Sequence, residues 1–229
     1  MTVDIFIRSY RGDFNWLGYC LKSIRKYAFG FNKVHLCVPT GDVGLLPKGS
    51  EEVHLVNAWA DDYIGQQYDK LTCDHFCNAT YILILDSDCI LDKPLRAEDL
   101  FFGGKPVWLY EAVPEGDSPW PDIVQEAIGW RMKYDFMRRH PFVVSRQSLV
   151  AFRAFMFNRH NEALNVWLKK RPYREFSEFN SFGAWAYDNY HDHFSWMSPE
   201  EFPTFLKQFW SWGGITPEIK VIIENILAD

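Results

Sequence analysis

Long apolar runs are missing from this 229-residue chain. None approaches the roughly 20 residues that cross a bilayer, and Thr2-Val3-Asp4 does not begin a signal peptide. Basic charge does not prevail either: the net charge of −6 argues against a broad nucleic-acid-binding face. No G-x-G-x-x-G follows the first apolar segment, and G-x-x-x-x-G-K-[ST] and G-x-S-x-G occur nowhere. A Rossmann dehydrogenase, a P-loop NTPase and an α/β-hydrolase are thereby disfavoured. Cysteine is sparse and odd in number, at Cys20, Cys37, Cys73, Cys77 and Cys89. That set suits neutral thiols in a cytoplasmic protein better than a disulfide framework. Repeats, low-complexity tracts and linkers are absent too, so one domain spanning residues 1–229 is expected.

What is present suffices for a packed core, with 48% hydrophobic and 24% charged residues. Phe, Trp and Tyr make up 17% and concentrate after residue 100, as core packing and as material for a cleft wall on which sugars or bases stack. The most informative stretch is Tyr81-Ile82-Leu83-Ile84-Leu85-Asp86-Ser87-Asp88. A short aliphatic run of this kind reads as a strand buried on both faces of a parallel sheet. Ligands of such sheets bind beyond the carboxyl ends of the strands, where Asp86 and Asp88 fall. Residues two apart in extended chain share a face, so both carboxylates reach one cation. Hard oxygen ligands suit Mg²⁺ or Mn²⁺, ions that accompany phosphates. Acids here can also simply cap a turn. The wholly apolar strand before them and the Asp92-Lys93-Pro94 turn after them favour the rim site.

Periodicity predicts strands at 3–7, 34–38, 53–56 and 81–85, with helices after Asp13, a capping candidate, and over 64–79. Strands alternating with helices through residue 88 indicate βαβ units and a mostly parallel sheet. Further on, strands are expected at 107–110, 142–144 and 194–197, and helices over 123–139, 146–168 and 179–190. Ser198-Pro199-Glu200-Glu201 reads as a capping box, and Pro217 opens a final helix.

Alternating strands and helices closed by Asp86-Ser87-Asp88 resemble the GT-A fold of nucleotide-sugar glycosyltransferases, especially small bacterial and viral members. Ile7-Arg8-Ser9-Tyr10, Gly65-Gln66-Gln67-Tyr68-Asp69-Lys70-Leu71 and Phe176-Ser177-Glu178-Phe179-Asn180-Ser181-Phe182-Gly183 carry the rest of the likeness. The resemblance implies an α/β, Rossmann-like, mostly parallel sheet flanked by helices. Residues 1–88 would be the nucleotide-binding half and 89–229 the acceptor-side half. It implies a metal-dependent transfer of a sugar from a nucleoside diphosphate sugar to an acceptor hydroxyl. The acceptor class stays open among a glycan, a lipid-linked sugar, a protein and a hydroxylated nucleobase in DNA.

The resemblance also assigns roles. Asp88 would contact Mn²⁺ or Mg²⁺, and Asp86 the metal or the donor ribose. A C-terminal histidine would complete the shell. His191 and His193 point to opposite sides if extended, and His193, beside the last strand, is the better placed. Glu178, between aromatic runs, is expected as the general base of an inverting transfer. Arg8, Tyr10, Gln67 and Lys70 are the expected donor ligands, since a diphosphate carries more charge than one divalent ion neutralises. Arg138-Arg139-His140-Pro141 is expected to be solvated. A sugar nucleotidyltransferase is the enzymatic rival, although the loop Ser9-Tyr10-Arg11-Gly12-Asp13 has one glycine. A non-catalytic sugar- or nucleotide-binding module would need the rings but not the acids.

Overall fold

Alternation decides the layers. The computed structural model describes residues 1–228 except 48, 50 and 117. The strands Val3–Arg8, Val34–Pro39, Glu52–Val56 and Tyr81–Asp86 pair in parallel, with Val3–Arg8 between Val34–Pro39 and Tyr81–Asp86. Beyond Tyr81–Asp86 the sheet continues through Phe142–Ser145, which is antiparallel, then Lys105–Leu109, then Ser195–Met197 at the edge. Among the described residues this makes a mixed, mostly parallel eight-stranded sheet, with Phe101–Phe102 as a short addition. Phe6, Ile82 and Ile84 face one layer, while Val3, Ile5, Ile7, Leu83 and Leu85 face the other. Successive side chains on a strand point to opposite faces, so a continuous aliphatic run feeds both cores. Helices α1 (Phe14–Tyr27) and α7 (Pro217–Leu227) cover the second face. Helices α2 (Asp62–Leu71), α3 (Trp120–Ile128), α4 (Arg146–His160), α5 (Leu164–Leu168) and α6 (Glu178–Asn189) cover the first. No helix among the described residues is long and apolar enough to cross a membrane.

The α/β architecture is therefore as expected, and the differences have local causes. The helix expected over 64–79 stops at Thr72, whose hydroxyl donates back to the carbonyl oxygen of Tyr68, and a 3₁₀ turn at Cys73–His75 follows. The helix expected over 123–139 ends at Gly129, which takes φ +102°. A left-handed residue at that position ends helices, and glycine adopts it without strain. Asn161, at φ 54°, divides 146–168 into α4 and α5 in the same way. At Ser198 half of the capping box forms, since its backbone N–H donates to Glu201 Oε2 at 2.8 Å. No helix follows, because Pro203 interrupts the chain two residues later.

Helix α6 lies unusually close to its neighbours. A Cβ on Gly183 would come within 2.5 Å of Phe136 Cβ, an atom fixed to the backbone that no rotamer change can move away. Gly183→Ala should therefore lower stability by about 1–3 kcal/mol in urea denaturation, despite the better helix propensity of alanine. A neutral or stabilising result would show that α6 is free to shift.

Candidate functional site

The carboxyl ends of the parallel strands gather most of the expected residues. Helix α2 begins at Asp61, whose carboxylate accepts the N–H groups of Tyr63 and Ile64. Three-residue spacing then puts Gln67 and Lys70 on one face, directed at the start of α6. Lys70, 4% exposed, is the one lysine buried among the described residues. Its Nζ donates to Glu178 Oε1 at 2.8 Å and lies 2.6 Å from Asp86 Oδ1. Phe179 adds a ring 4.9 Å from the same ammonium. Burial alone would lower the Lys70 pKa, but Asp86 and Glu178 push it well above the ordinary lysine value. Burial likewise works to raise Asp86, and Lys70 outweighs it, leaving that carboxyl below its usual range.

Asp88 sits differently. Its Oδ2 accepts the N–H of Ser211 at 2.7 Å, and its carbonyl oxygen accepts the N–H of Phe209 at 3.2 Å. Burial first, then Asp86 and Asp13, push its pKa up to about 6. Asp13 was expected to cap α1, yet its carboxylate caps nothing there. It accepts the Ser211 hydroxyl at 3.3 Å, and burial and Asp86 raise its pKa. Sequence reasoning missed both Asp13 and Ser211. The only signal for Asp13 was its place just past the first strand. Ser211 contributes partly through its backbone, to which residue type is blind.

The segment that brings Ser211 in is built by short pairings. Cys89–Leu91 forms an antiparallel pair with Leu206–Gln208, and Phe209 then stacks on Trp16 with centroids 5.8 Å apart. Trp210 turns the chain at φ 58°, and Trp212 stands 85% exposed beside the acids' cover. His140, expected to be solvated, packs its ring on Phe142 and brings Nε2 to 3.2 Å from Cys89 Sγ. Desolvation pushes its pKa down to about 4, so it is neutral at pH 7. Arg138 and Arg139 do project outward, half or more exposed.

Other expected residues hold different positions. Arg8 is buried, and its guanidinium donates to Asp69 and Asp62 at 2.7 Å each and to the Ser9 carbonyl oxygen. It ties the first strand to α2, with its donors directed at protein groups. Gln67 Oε1 accepts the Glu178 N–H at 3.0 Å, satisfying one of the donors that every helix start leaves open. Tyr10 stands at the rim, 43% exposed, its hydroxyl pKa raised by Asp13, burial and Asp62. The rings around Glu178 do not isolate it, because Lys70 is its partner.

His191 and His193 are the clear correction. The segment is a 3₁₀ turn, His191–His193, rather than extended chain. His193 lines a surface hollow with Asn78, Thr80 and Tyr81, at the amino end of the Tyr81–Asp86 strand. The pairing directions agree: Ser195–Met197 runs parallel to Lys105–Leu109, and both point the same way as Tyr81–Asp86. Their start is therefore a strand length, about 20 Å, from the acids. His191 instead stacks on Trp196, and His193 on Tyr190.

Asp86 and Glu178 thus share one ammonium, while Asp13, Asp88 and the neutral His140 imidazole each feel the Asp86 charge. A carboxylate whose pKa is raised on folding binds its proton more tightly in the folded state, so its ionisation costs stability as pH rises through about 6. Below the unfolded value, near 4, that cost vanishes. Asp88→Asn should accordingly be more stable than the parent at pH 8, by about 2–3 kcal/mol, and equal to it near pH 4 in urea denaturation without divalent ions. Equal stabilities at both pH values would mean that Asp88 is well solvated. No family model and no curated protein matches the chain.

Proposed function

We propose that this chain is a metal-dependent glycosyltransferase of GT-A architecture that moves a sugar from a nucleoside diphosphate donor to an acceptor hydroxyl. One observation carries the reading: Asp13 and Asp88 lie close enough to Asp86, at the carboxyl end of a mostly parallel sheet, for its charge to raise the pKa of both, and Asp86 in turn is paired with Lys70. Excess desolvated carboxylate is expensive unless a cation joins it. The donor set is all oxygen, which fits Mn²⁺ or Mg²⁺. Asp86 and Asp88 would hold the ion, with Asp13 beside them. A divalent ion there supplies charge stabilisation to a departing diphosphate.

The chain's own groups do the rest. Lys70 holds the Asp86 carboxyl below its usual range and ties Asp86 to Glu178 through one ammonium. Glu178, at the first residue of α6, accepts the proton of the acceptor hydroxyl, and in-line attack then inverts the anomeric carbon. Tyr10, near Asp13, and the exposed Trp212, next to Ser211, offer rings for stacking a base or a sugar. Arg8 acts at one remove by locking α2 to the first strand.

Calorimetry with UDP and GDP, in Mn²⁺ and in EDTA, tests the metal. Binding should require Mn²⁺, and Asp88→Ala should abolish that requirement along with the binding. Equal affinity in both conditions would sink the reading. Donor hydrolysis without acceptor separates an enzyme from a binding module. Glu178→Gln should still bind donor while turnover falls about 10²–10⁴-fold. Near-normal turnover would leave Glu178 as a partner of Lys70 only.

A further inference from the structure

A second cluster of ligating groups lies at the opposite, amino-terminal edge of the sheet, and its chemistry differs from that of the acids. Asp4 and His35 lie near the starts of two paired strands, and Glu52 and His54 lie on the edge strand next to them. Register sets Glu52 beside His35 and His54 beside Cys37, so alternate residues of neighbouring strands share one face. His35 Nδ1 and His54 Nε2 are 2.8 Å apart, and Glu52 Oε2 is 3.5 Å from the same His35 nitrogen. One ligand atom from each of the three lies within 4.8 Å of the others.

Asp4 explains why His35 presents that nitrogen. Its carboxylate is fully buried and accepts from Asn32 Nδ2 at 2.9 Å and from the N–H groups of Asn78 and Ala79. The anion faces His35 Nε2 at 3.1 Å, which places the imidazole proton there. Nδ1 is left as an acceptor, taking the His54 Nε2–H at 2.8 Å with Glu52 beside it. A carboxylate behind a histidine, fixing the tautomer of its outward nitrogen, is the arrangement that supports metal ligation. Cys77 Sγ lies within 4.8 Å of Asp4 and of a His35 ring nitrogen, fully buried on the Asp4 side of the imidazole and away from the accessible Glu52 and His54.

The geometry points to a Zn²⁺ site formed by His35 Nδ1, His54 Nε2 and a Glu52 carboxylate oxygen, with Asp4 as the positioning residue and a solvent-facing fourth position. Two imidazoles and one carboxylate suit zinc rather than Mg²⁺ or Mn²⁺. Without metal the two nitrogens share the His54 proton. When zinc binds, that proton moves to His54 Nδ1 and the nitrogens separate to about 3.3 Å, as a tetrahedral ion requires. The edge strand can supply this movement, since Glu52 is exposed and His54 only half-buried. Glu52 pairs through its other oxygen with Lys33, so one carboxylate serves both partners. The ion would clasp the outermost strand, with its exposed Val53 and Leu55, to its neighbour.

The full chain is titrated with ZnCl₂ in calorimetry and with CoCl₂ in visible spectroscopy. Parent protein and Asp88→Ala should each take one zinc at this site and give the bands of four-coordinate Co²⁺. His54→Ala and Glu52→Gln, both changes at accessible positions, should bind at least about 100-fold more weakly. At a hundredfold excess over Kd, zinc should raise the parent's melting temperature by about 5 °C and leave His54→Ala unmoved. Uptake unchanged in His54→Ala, uptake lost only in Asp88→Ala, or no uptake at all would overturn the assignment, leaving two histidines that share a proton.

Discussion

The ammonium of Lys70 joins three elements at one point. It reaches from α2 to the end of the Tyr81–Asp86 strand and to the first residue of α6. With the ammonium in place, two carboxylates can be buried side by side. Without it, both would face desolvation with no counter-charge, a penalty of several kcal/mol per ion. Gln67 on the same face caps α6, so the same few residues orient the helix and neutralise its acid. Arg8 repeats the device one turn back, holding Asp62 and Asp69 of α2 against the first strand. The position of α2 is thus set electrostatically as well as by its apolar face.

The central strands were legible because a sheet covered on both faces needs continuous apolar runs, and these stand out in Ile5–Ile7 and Ile82–Leu85. Helix ends were less legible, since periodicity ran past Gly129 and Asn161, although both residue types favour the left-handed conformation that ends a helix there. The pairing of Cys89–Leu91 with Leu206–Gln208 was invisible, since each partner is three residues long and its stability comes from a distant segment.

Within the site, legibility followed the kind of atom involved. Asp86, Asp88 and Glu178 stand out as acids beside apolar or aromatic runs, whereas Lys70 was singled out by the resemblance, and the fold joins it to Asp86 and Glu178. Asp13 was hidden by its good fit to a bland capping role. Ser211 was hidden because a backbone N–H carries no residue signature. His191 and His193 misled because alternation was assumed for a segment that turns, and the sheet order then carries that turn to the far edge.

The contact between Ser211 and Asp88 spans 123 positions of sequence. Contacts of that separation form late, after local helices and neighbouring strands have closed their shorter loops. During synthesis the parallel core, with Asp86 and Asp88 at its rim, is complete long before the ribosome delivers Leu206–Ser211. A nascent chain therefore carries Asp88 without its Ser211 partner until the closing segment docks.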